Sequence, residues 1–183
     1  MRILLVEPPF HAFMHYDRWF YPTSLTLLAA ILQKHNCEVQ VYDADRYFFK
    51  DPQTKDRNYL IKKQELYFNN AENFNHEIYQ HFIKVLNDYK PHVVGCSIFT
   101  CKLKTSMNIL KLTKEIDPNI KTCVGGAHVT AIPESLNQKK YIDAVFCGYS
   151  DVTFPKWIDQ GLPSGVFKAN NDLIDIQNLP LCE

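Results

Sequence analysis

The chain has 183 residues, 46% of them hydrophobic, which is enough to bury the core of one domain and argues against disorder. Its 20 Lys and Arg residues balance 20 Asp and Glu residues, so no net charge attracts nucleic acid or an anionic membrane. No apolar run approaches the ~20 residues of a membrane span or forms a signal-peptide core, so we expect a cytoplasmic protein without membrane or nucleic-acid partners.

Strand-like runs alternate with helical stripes along the chain. Short apolar runs are typical of strands covered on both faces of a parallel sheet, and the predicted strands are residues 3–6, 38–42, 93–98, 120–124 and 144–147. Thr23 and Ser24 are candidate N-caps for the first helix, and Asn36 marks its end. Further helices are predicted to start near Ile132 and Asp151. Apolar residues at helical spacing form three stripes: Leu25, Leu28, Ala29 and Leu32; Ile78, Phe82, Val85, Leu86 and Tyr89; Ile109, Leu112 and Ile116.

Two segments interrupt this alternation. Residues 47–75 are polar but rich in Tyr and Phe, which is too aromatic for a flexible linker, so we predict an ordered insertion. The tail alternates at residues 165–167 and 173–176, which predicts a hairpin. We therefore assign residues 1–161 to the main domain and residues 162–183 to the hairpin and a following linker.

Five strands with covering helices predict an α/β fold: a doubly wound, mainly parallel, Rossmann-like (flavodoxin-like) sheet with helices on both faces. Ligands of such sheets bind beyond the carboxyl ends of the strands. Ser97 and Thr100 follow the third strand, and Gly125 and Gly126 follow the fourth. Hydroxyls and bare backbone at this edge suit a flat, partly apolar heterocycle. The same residues also fit ordinary turns whose hydroxyls satisfy nearby backbone groups.

Several common sites are missing from the sequence. No GxGxxG follows the first strand and no GxxxxGK[ST] occurs, so the phosphate-binding turns of dinucleotide and P-loop proteins are absent. Asp43 and Asp45 follow the second strand, but the sequence shows no well-placed lysine for a phosphoryl site, and capping or turn formation accounts for them better. No catalytic triad or nucleophile elbow stands out. The six cysteines form no CxxC pair and are predicted to be buried free thiols rather than a metal site.

A longer pattern, Gly-Gly-x-His-x-Thr-x-x-Pro-Glu, occupies residues 125–134. Weaker pieces accompany it: Glu7-Pro8-Pro9, the helix after Pro22, residues 91–97, the Asp143-Ala144-Val145 run leading to Gly148, and residues 176–180. Together these segments resemble the N-terminal cobalamin-binding domain of cobalamin-dependent (class B) radical S-adenosylmethionine enzymes. In that family, a segment similar to residues 176–180 leads into the radical domain.

The resemblance implies a bound cobalamin, with its nucleotide tail inserted at the sheet edge and its corrin ring over the strand ends. In the loop after the first strand, His11, His15 and Trp19 are candidate neighbours of cobalt on its lower face, although each also fits ordinary loop packing. The chain lacks the DxHxxG of the methionine-synthase type of domain, and residues 148–151 read Gly-Tyr-Ser-Asp where its own family often has Gly-Glu-x-Glu. The implied cofactor contacts are Pro9, Ser97, Ile98, Thr100, Gly125, Gly126, His128 and Gly148.

The resemblance also implies a catalytic domain that this sequence does not contain. The cluster motif CxxxCxxC is absent, so the chain cannot hold the [4Fe-4S] cluster or cleave S-adenosylmethionine by itself. We predict no catalytic residues here and a parent enzyme that is a methyltransferase or performs related radical chemistry through cobalamin. Two alternatives stay open: a stand-alone corrinoid-binding or carrier protein whose aromatic insertion contacts a partner, and a small α/β enzyme acting on a nucleotide-like ligand.

Overall fold

Six strands form one sheet in the computed structural model of the chain, which describes residues 1–15, 21–46, 57–136, 139–169 and 180. Their order is β2-β1-β3-β4-β5-β6, and every neighbouring pair is parallel. The chain thus winds outward in both directions from the β1 and β3 pair, which is where open α/β sheets bind their ligands. The strands are β1 (Arg2–Glu7), β2 (Glu38–Asp43), β3 (Val93–Ser97), β4 (Lys121–Gly125), β5 (Ala144–Cys147) and β6 (Gly165–Lys168).

Helices cover both faces of this sheet: α1 (Thr23–Lys34), α2 (Arg57–Glu72), α3 (Glu77–Tyr89), α4 (Leu103–Ile116), α5 (Ala127–Ala131) and α6 (Ser150–Asp159). One core lies under α1 and α6 and takes Ile3 and Leu5 from β1. The other lies under α2 to α5 and takes Leu4 and Val6. Because successive strand residues enter opposite cores, β1 needs a continuous apolar run. Within the described ranges, no helix is long and apolar enough to cross a membrane.

The doubly wound parallel fold is confirmed, and the five predicted strands match the observed ones to within one residue at each end. The strand count was wrong, because β6 is a sixth strand. Residues 165–167, predicted as the first arm of a hairpin, lie parallel beside β5 at the sheet edge. Most of β6 is exposed, and a short edge strand has the same alternating pattern as a hairpin arm. The predicted second arm, residues 173–176, lies outside the described residues.

The first helix is confirmed, but its predicted cap is not. Pro22 occupies the N-cap position of α1, so the predicted capping by Thr23 or Ser24 is wrong. The end of the helix agrees with the prediction, since α1 stops at Lys34 and Asn36 takes a left-handed conformation with φ of 58°.

The other predicted helices are also present, with one difference in detail. The helix predicted to start near Ile132 is a single 3₁₀ turn, Pro133–Leu136, and the helix α5 precedes it and ends at Ala131. The aromatic insertion is ordered where it is described: α2 fills residues 57–72 and packs on the 3₁₀ turn Ala12–Met14. Residues 47–56 of the insertion lie outside the described part of the chain.

Candidate functional site

A cavity of about 260 Å³ opens at the carboxyl ends of β3 and β4, on the face covered by α1 and α6. Its inner wall is apolar and buried, and consists of Leu5, Leu28, Cys123, Phe146 and Phe154. Its rim is polar, with Ser24 exposed and Ser150 and Asp151 half-buried. Sites for drug-sized ligands measure about 300–1,000 Å³. This cavity therefore suits one flat group of a ligand rather than a whole large ligand.

Two glycines shape the wall of this cavity by lacking a side chain. A Cβ on Gly95 would lie 3.0 Å from Cys123 Sγ and 3.3 Å from Leu5 Cδ2, in the cavity wall itself. A Cβ on Gly125 would lie 3.4 Å from Ser150 Oγ, which is an ordinary contact. A side chain at Gly125 would therefore extend into the cavity without straining the backbone. These two positions leave bare backbone beside any ligand that enters.

Gly126 has a different role from Gly125. Its φ of 107° and ψ of −176° lie in a region that glycine alone occupies readily. A Cβ there would lie 2.8 Å from the backbone N of Ile98. The close approach lets Ile98 donate its N–H to Gly125 O at 2.8 Å and accept from His128 N–H at 3.0 Å. Gly126 is therefore required by the neighbouring chain segment, and the side chain of Ile98 is fully buried.

Ser97, the last residue of β3, is the buried polar group of the cavity. It is 9% exposed and lines the cavity beside Gly125. No described residue forms a hydrogen bond with its hydroxyl. Buried hydroxyls in folded proteins nearly always have a partner, and leaving one without costs about 1–3 kcal/mol. A ligand with a hydrogen-bonding ring atom would supply that partner.

Thr100 and His128, two other predicted contacts, do not line the cavity. His128 is 6% exposed, with Nδ1 3.0 Å from Thr100 Oγ1 and Nε2 3.1 Å from Ser135 Oγ. These contacts engage both ring nitrogens and tie the loop after β3 to the turn after α5. Direct cofactor contacts of Thr100 and His128 stay predictions.

The turn between β5 and α6 forms one side of the cavity mouth. Gly148 lines the cavity at a φ of 84° and donates its N–H to Thr130 Oγ1 at 2.9 Å. Asp151 lies in the first turn of α6 and also lines the cavity. Burial raises the pKa of the Asp151 carboxyl, since desolvation disfavours its charged form.

Behind the strand ends lies a buried charge cluster. Lys102 is 3% exposed, and its ammonium lies 2.5 Å from Glu7 Oε1 and 2.9 Å from Asp45 Oδ2. Asp45 also accepts from the N–H groups of Phe10 and Ala12 at 2.7 and 2.9 Å. Asp45 thus anchors the distant loop after β1 rather than forming the predicted local turn, whereas Asp43 Oδ1 accepts from the N–H of Asp45 at 3.1 Å in such a turn. Lys102, which no pattern in the sequence marks, holds the ends of β1 and β3 and the turn after β2 together.

Two of the predicted cobalt neighbours, His11 and His15, lie on the other side of the sheet edge. His11 Nδ1 is 2.8 Å from Asp45 Oδ2, while His15 ends a 3₁₀ turn with φ of 53°. Trp19 lies outside the described residues. Pro9 is buried in the same loop. His11 borders a second cavity of about 720 Å³, whose other lining residues include Phe10, Met14, Tyr67, Phe68 and Leu103.

The cysteines behave largely as predicted. Four of the described thiols are free and buried, and they belong to Cys37, Cys96, Cys123 and Cys147. Cys101 is free but exposed, against the prediction, because it lies in the loop after β3. Cys182 lies outside the described part of the chain. Burial raises the pKa of the Cys96 and Cys123 thiols, so both are inert neutral side chains in the sheet.

Comparison with known proteins identifies a family model and several relatives. The model described as B12 binding domain matches residues 64–158, just over half of the chain. The chain is 30% identical to the cytidylyl-2-hydroxyethylphosphonate methyltransferase of Streptomyces wedmorensis, over 86% of this chain and 28% of that enzyme. It is 31% identical to an uncharacterized methyltransferase of Pyrococcus horikoshii, over 42% of this chain and 17% of that protein. It is 33% identical to the anaerobic magnesium-protoporphyrin IX monomethyl ester cyclase of Rubrivivax gelatinosus, over 39% of this chain and 14% of that enzyme. The chain thus matches less than a third of the length of each relative.

Proposed function

The chain belongs to the B12 binding domain family, and we propose that the cavity at the ends of β3 and β4 receives the nucleotide tail of cobalamin while the corrin ring lies over the strand ends. One observation carries this proposal: Ser97 is a buried hydroxyl without a described partner in a cavity bordered by bare backbone at Gly95 and Gly125. The cavity is too small for a corrin but suits a bicyclic aromatic base.

The residues of the chain bind and orient the cofactor. Ser97 hydrogen-bonds the base, Gly125 lets it approach the backbone, and Phe146 and Phe154 offer an apolar wall for its ring. These two Phe rings stack on each other with centroids 4.9 Å apart. When bound, cobalamin would supply organometallic chemistry such as methyl transfer at cobalt. His11, held by Asp45, stays our candidate neighbour of the lower face, along with His15 and Trp19.

The parent protein is proposed to be a cobalamin-dependent radical S-adenosylmethionine enzyme, most simply a methyltransferase. Two of the relatives bear methyltransferase names, and each is more than three times as long as its match to this chain. In that arrangement, residues 1–161 form the cofactor-binding unit and residues 162–183 contribute β6 and lead toward the radical domain. The [4Fe-4S] cluster and S-adenosylmethionine would bind in that domain. A reading frame that continues past Glu183 into CxxxCxxC supports this proposal, and one that stops there favours a stand-alone corrinoid carrier.

Retention of cobalamin by the purified chain tests the binding function. The chain is incubated with hydroxocobalamin and passed through gel filtration, with absorbance followed at protein and corrinoid wavelengths. We expect corrinoid colour to elute with the protein in a ratio approaching one to one. If the folded chain elutes colourless at every cobalamin concentration tried, the proposal is wrong. A thermal-shift panel that shows stabilisation by nucleotides instead would favour a nucleotide-binding enzyme.

A further inference from the structure

Asp151 is a charged group at the mouth of the cavity, and among the described residues only its own backbone N–H contacts its carboxylate. It is half-buried in the first turn of α6. Among the described residues that line the cavity, Asp151 is the one that carries a charge. No ion pair or hydrogen bond joins its carboxylate to another described residue. A carboxylate that loses water in this way needs a donor from elsewhere.

The depth of the cavity indicates which part of a ligand reaches Asp151. Phe146 and Phe154 are 1% and 2% exposed and form the apolar inner wall, and Ser97, at 9%, is the buried polar group beside it. A flat base inserted against this wall places the next group of the nucleotide tail, its ribose, at the mouth. Ser150 and Ser24 border the mouth near Asp151 with hydroxyl groups. The mouth therefore offers acceptors to a sugar, while the interior offers an apolar slot to a base.

We propose that Asp151 accepts a hydrogen bond from a ribose hydroxyl of the corrinoid's nucleotide tail, and so selects corrinoids that carry a nucleotide. This inference rests on the proposed function, because it names the part of the nucleotide tail that the same cavity would contact. The buried hydroxyl of Ser97 is an independent sign that this cavity is built for a ligand. Burial raises the pKa of the Asp151 carboxyl, so a hydrogen-bond donor on the ligand would stabilise its charged form.

Affinities for two corrinoids test the inference. Hydroxocobalamin carries the nucleotide, whereas diaquocobinamide has the same corrin ring without it. We expect Asp151→Ala to weaken cobalamin binding about 10- to 100-fold, the loss of one hydrogen bond to a charged group. Cobinamide binding should be unchanged, because the contact with Asp151 is missing in both chains. Asp159→Ala is the matched control, since Asp159 is exposed at the other end of α6 and should leave both affinities unchanged.

Competition by nucleotide fragments separates the ribose from the base. We expect the nucleoside α-ribazole to displace cobalamin from the natural chain better than free 5,6-dimethylbenzimidazole does. That advantage should disappear in Asp151→Ala and be partly restored in Asp151→Asn, which keeps an acceptor oxygen. If Asp151→Ala weakens cobalamin and cobinamide equally, or weakens neither, the inference is wrong while cobalamin binding stands. If the natural chain binds no cobalamin, the proposed function fails as well.

Discussion

The adjacent glycines at the end of β4, Gly125 and Gly126, have different structural roles. The sequence allowed either a ligand or a neighbouring chain to approach the pair, and the structure divides these roles between Gly125 and Gly126. We predict that Gly126→Ala lowers the free energy of unfolding by about 1–3 kcal/mol, because alanine is strained at this φ and ψ and meets the Ile98 backbone.

Gly125→Ala is the control for that prediction. Its Cβ makes only ordinary contacts, so we expect a change within about 0.5 kcal/mol. Urea denaturation of both variants measures the difference. Equal loss in the two variants would show that the left-handed geometry of Gly126 is not what stabilises this turn.

Lys102 was missed in the sequence because a lysine in a loop is usually exposed. Its partners Glu7 and Asp45 are 95 and 57 residues away in the chain, so no local pattern signals the cluster. We predict that Lys102→Met lowers the free energy of unfolding by about 3–5 kcal/mol, since it leaves two buried carboxylates without their cation. Lys104→Met removes an exposed pair with Glu72 and should cost less than about 1 kcal/mol. Similar losses in both variants would contradict a buried, structural role for Lys102.

The same charge cluster makes the free energy of unfolding depend on pH. Burial works to raise the pKa of Asp45, but the hydrogen bond from His11, the charge of Lys102 and two backbone N–H groups outweigh it and hold the pKa well below its usual 3.8. A lowered pKa stabilises the fold above pH 4 and loses that stabilisation as the pH falls through the folded value. We predict that the natural chain loses more stability between about pH 5 and pH 2 than Asp45→Asn does.

Unfolding midpoints in urea across that pH range check this prediction. Asp88→Asn is a suitable control, because Asp88 lies on the exposed face of α3 beside Lys84. Parallel pH profiles for the natural chain and Asp45→Asn would show that another carboxyl dominates the acid response.

At the scale of elements, burial explains which predictions succeeded. β3 and β5 are buried at every position, so their continuous apolar runs predict these strands from the sequence alone. Local alternation at residues 165–167 does not tell whether a neighbouring strand runs parallel or antiparallel, so the sequence could not place β6 beside β5. Thr23 and Ser24 are residue types preferred at an N-cap, but Pro22 occupies that position of α1 and no side-chain hydrogen bond caps the helix.

The junction of α6 with β5 and β6 depends on a cluster of aromatic rings. Trp157 is fully buried, contacts the rings of Phe146, Phe154 and Phe167, and donates Nε1–H to Pro163 O at 2.7 Å. We predict that Trp157→Ala costs about 3–5 kcal/mol of unfolding free energy. Trp157→Phe keeps most of the packing and should cost about 1 kcal/mol from the lost hydrogen bond. Thermal unfolding of both variants tests this, and a small effect of Trp157→Ala would mean that α6 is not held by this cluster.

At the scale of the molecule, the order of the strands brings the candidate site together. Ser97 and Gly125 were predictable because each ends a buried strand, and their pairing across β3 and β4 places them side by side. The apolar wall was not predictable as a site, since Leu28, Phe146 and Phe154 look like ordinary core positions in the sequence. Asp151 was predicted only as the start of a helix, and its position at the cavity mouth depends on how α6 packs over β5.

Titration of hydroxocobalamin into the natural chain and into Gly125→Leu tests most directly whether this cavity holds the cofactor. The leucine side chain would fill the cavity from β4 without the backbone strain found at Gly126. We predict saturable binding by the natural chain and at least about tenfold weaker binding by the variant, a difference of about 1.4 kcal/mol or more, with the Tm of the two chains alike. Equal affinity in the two folded chains would contradict insertion of the nucleotide tail at this site.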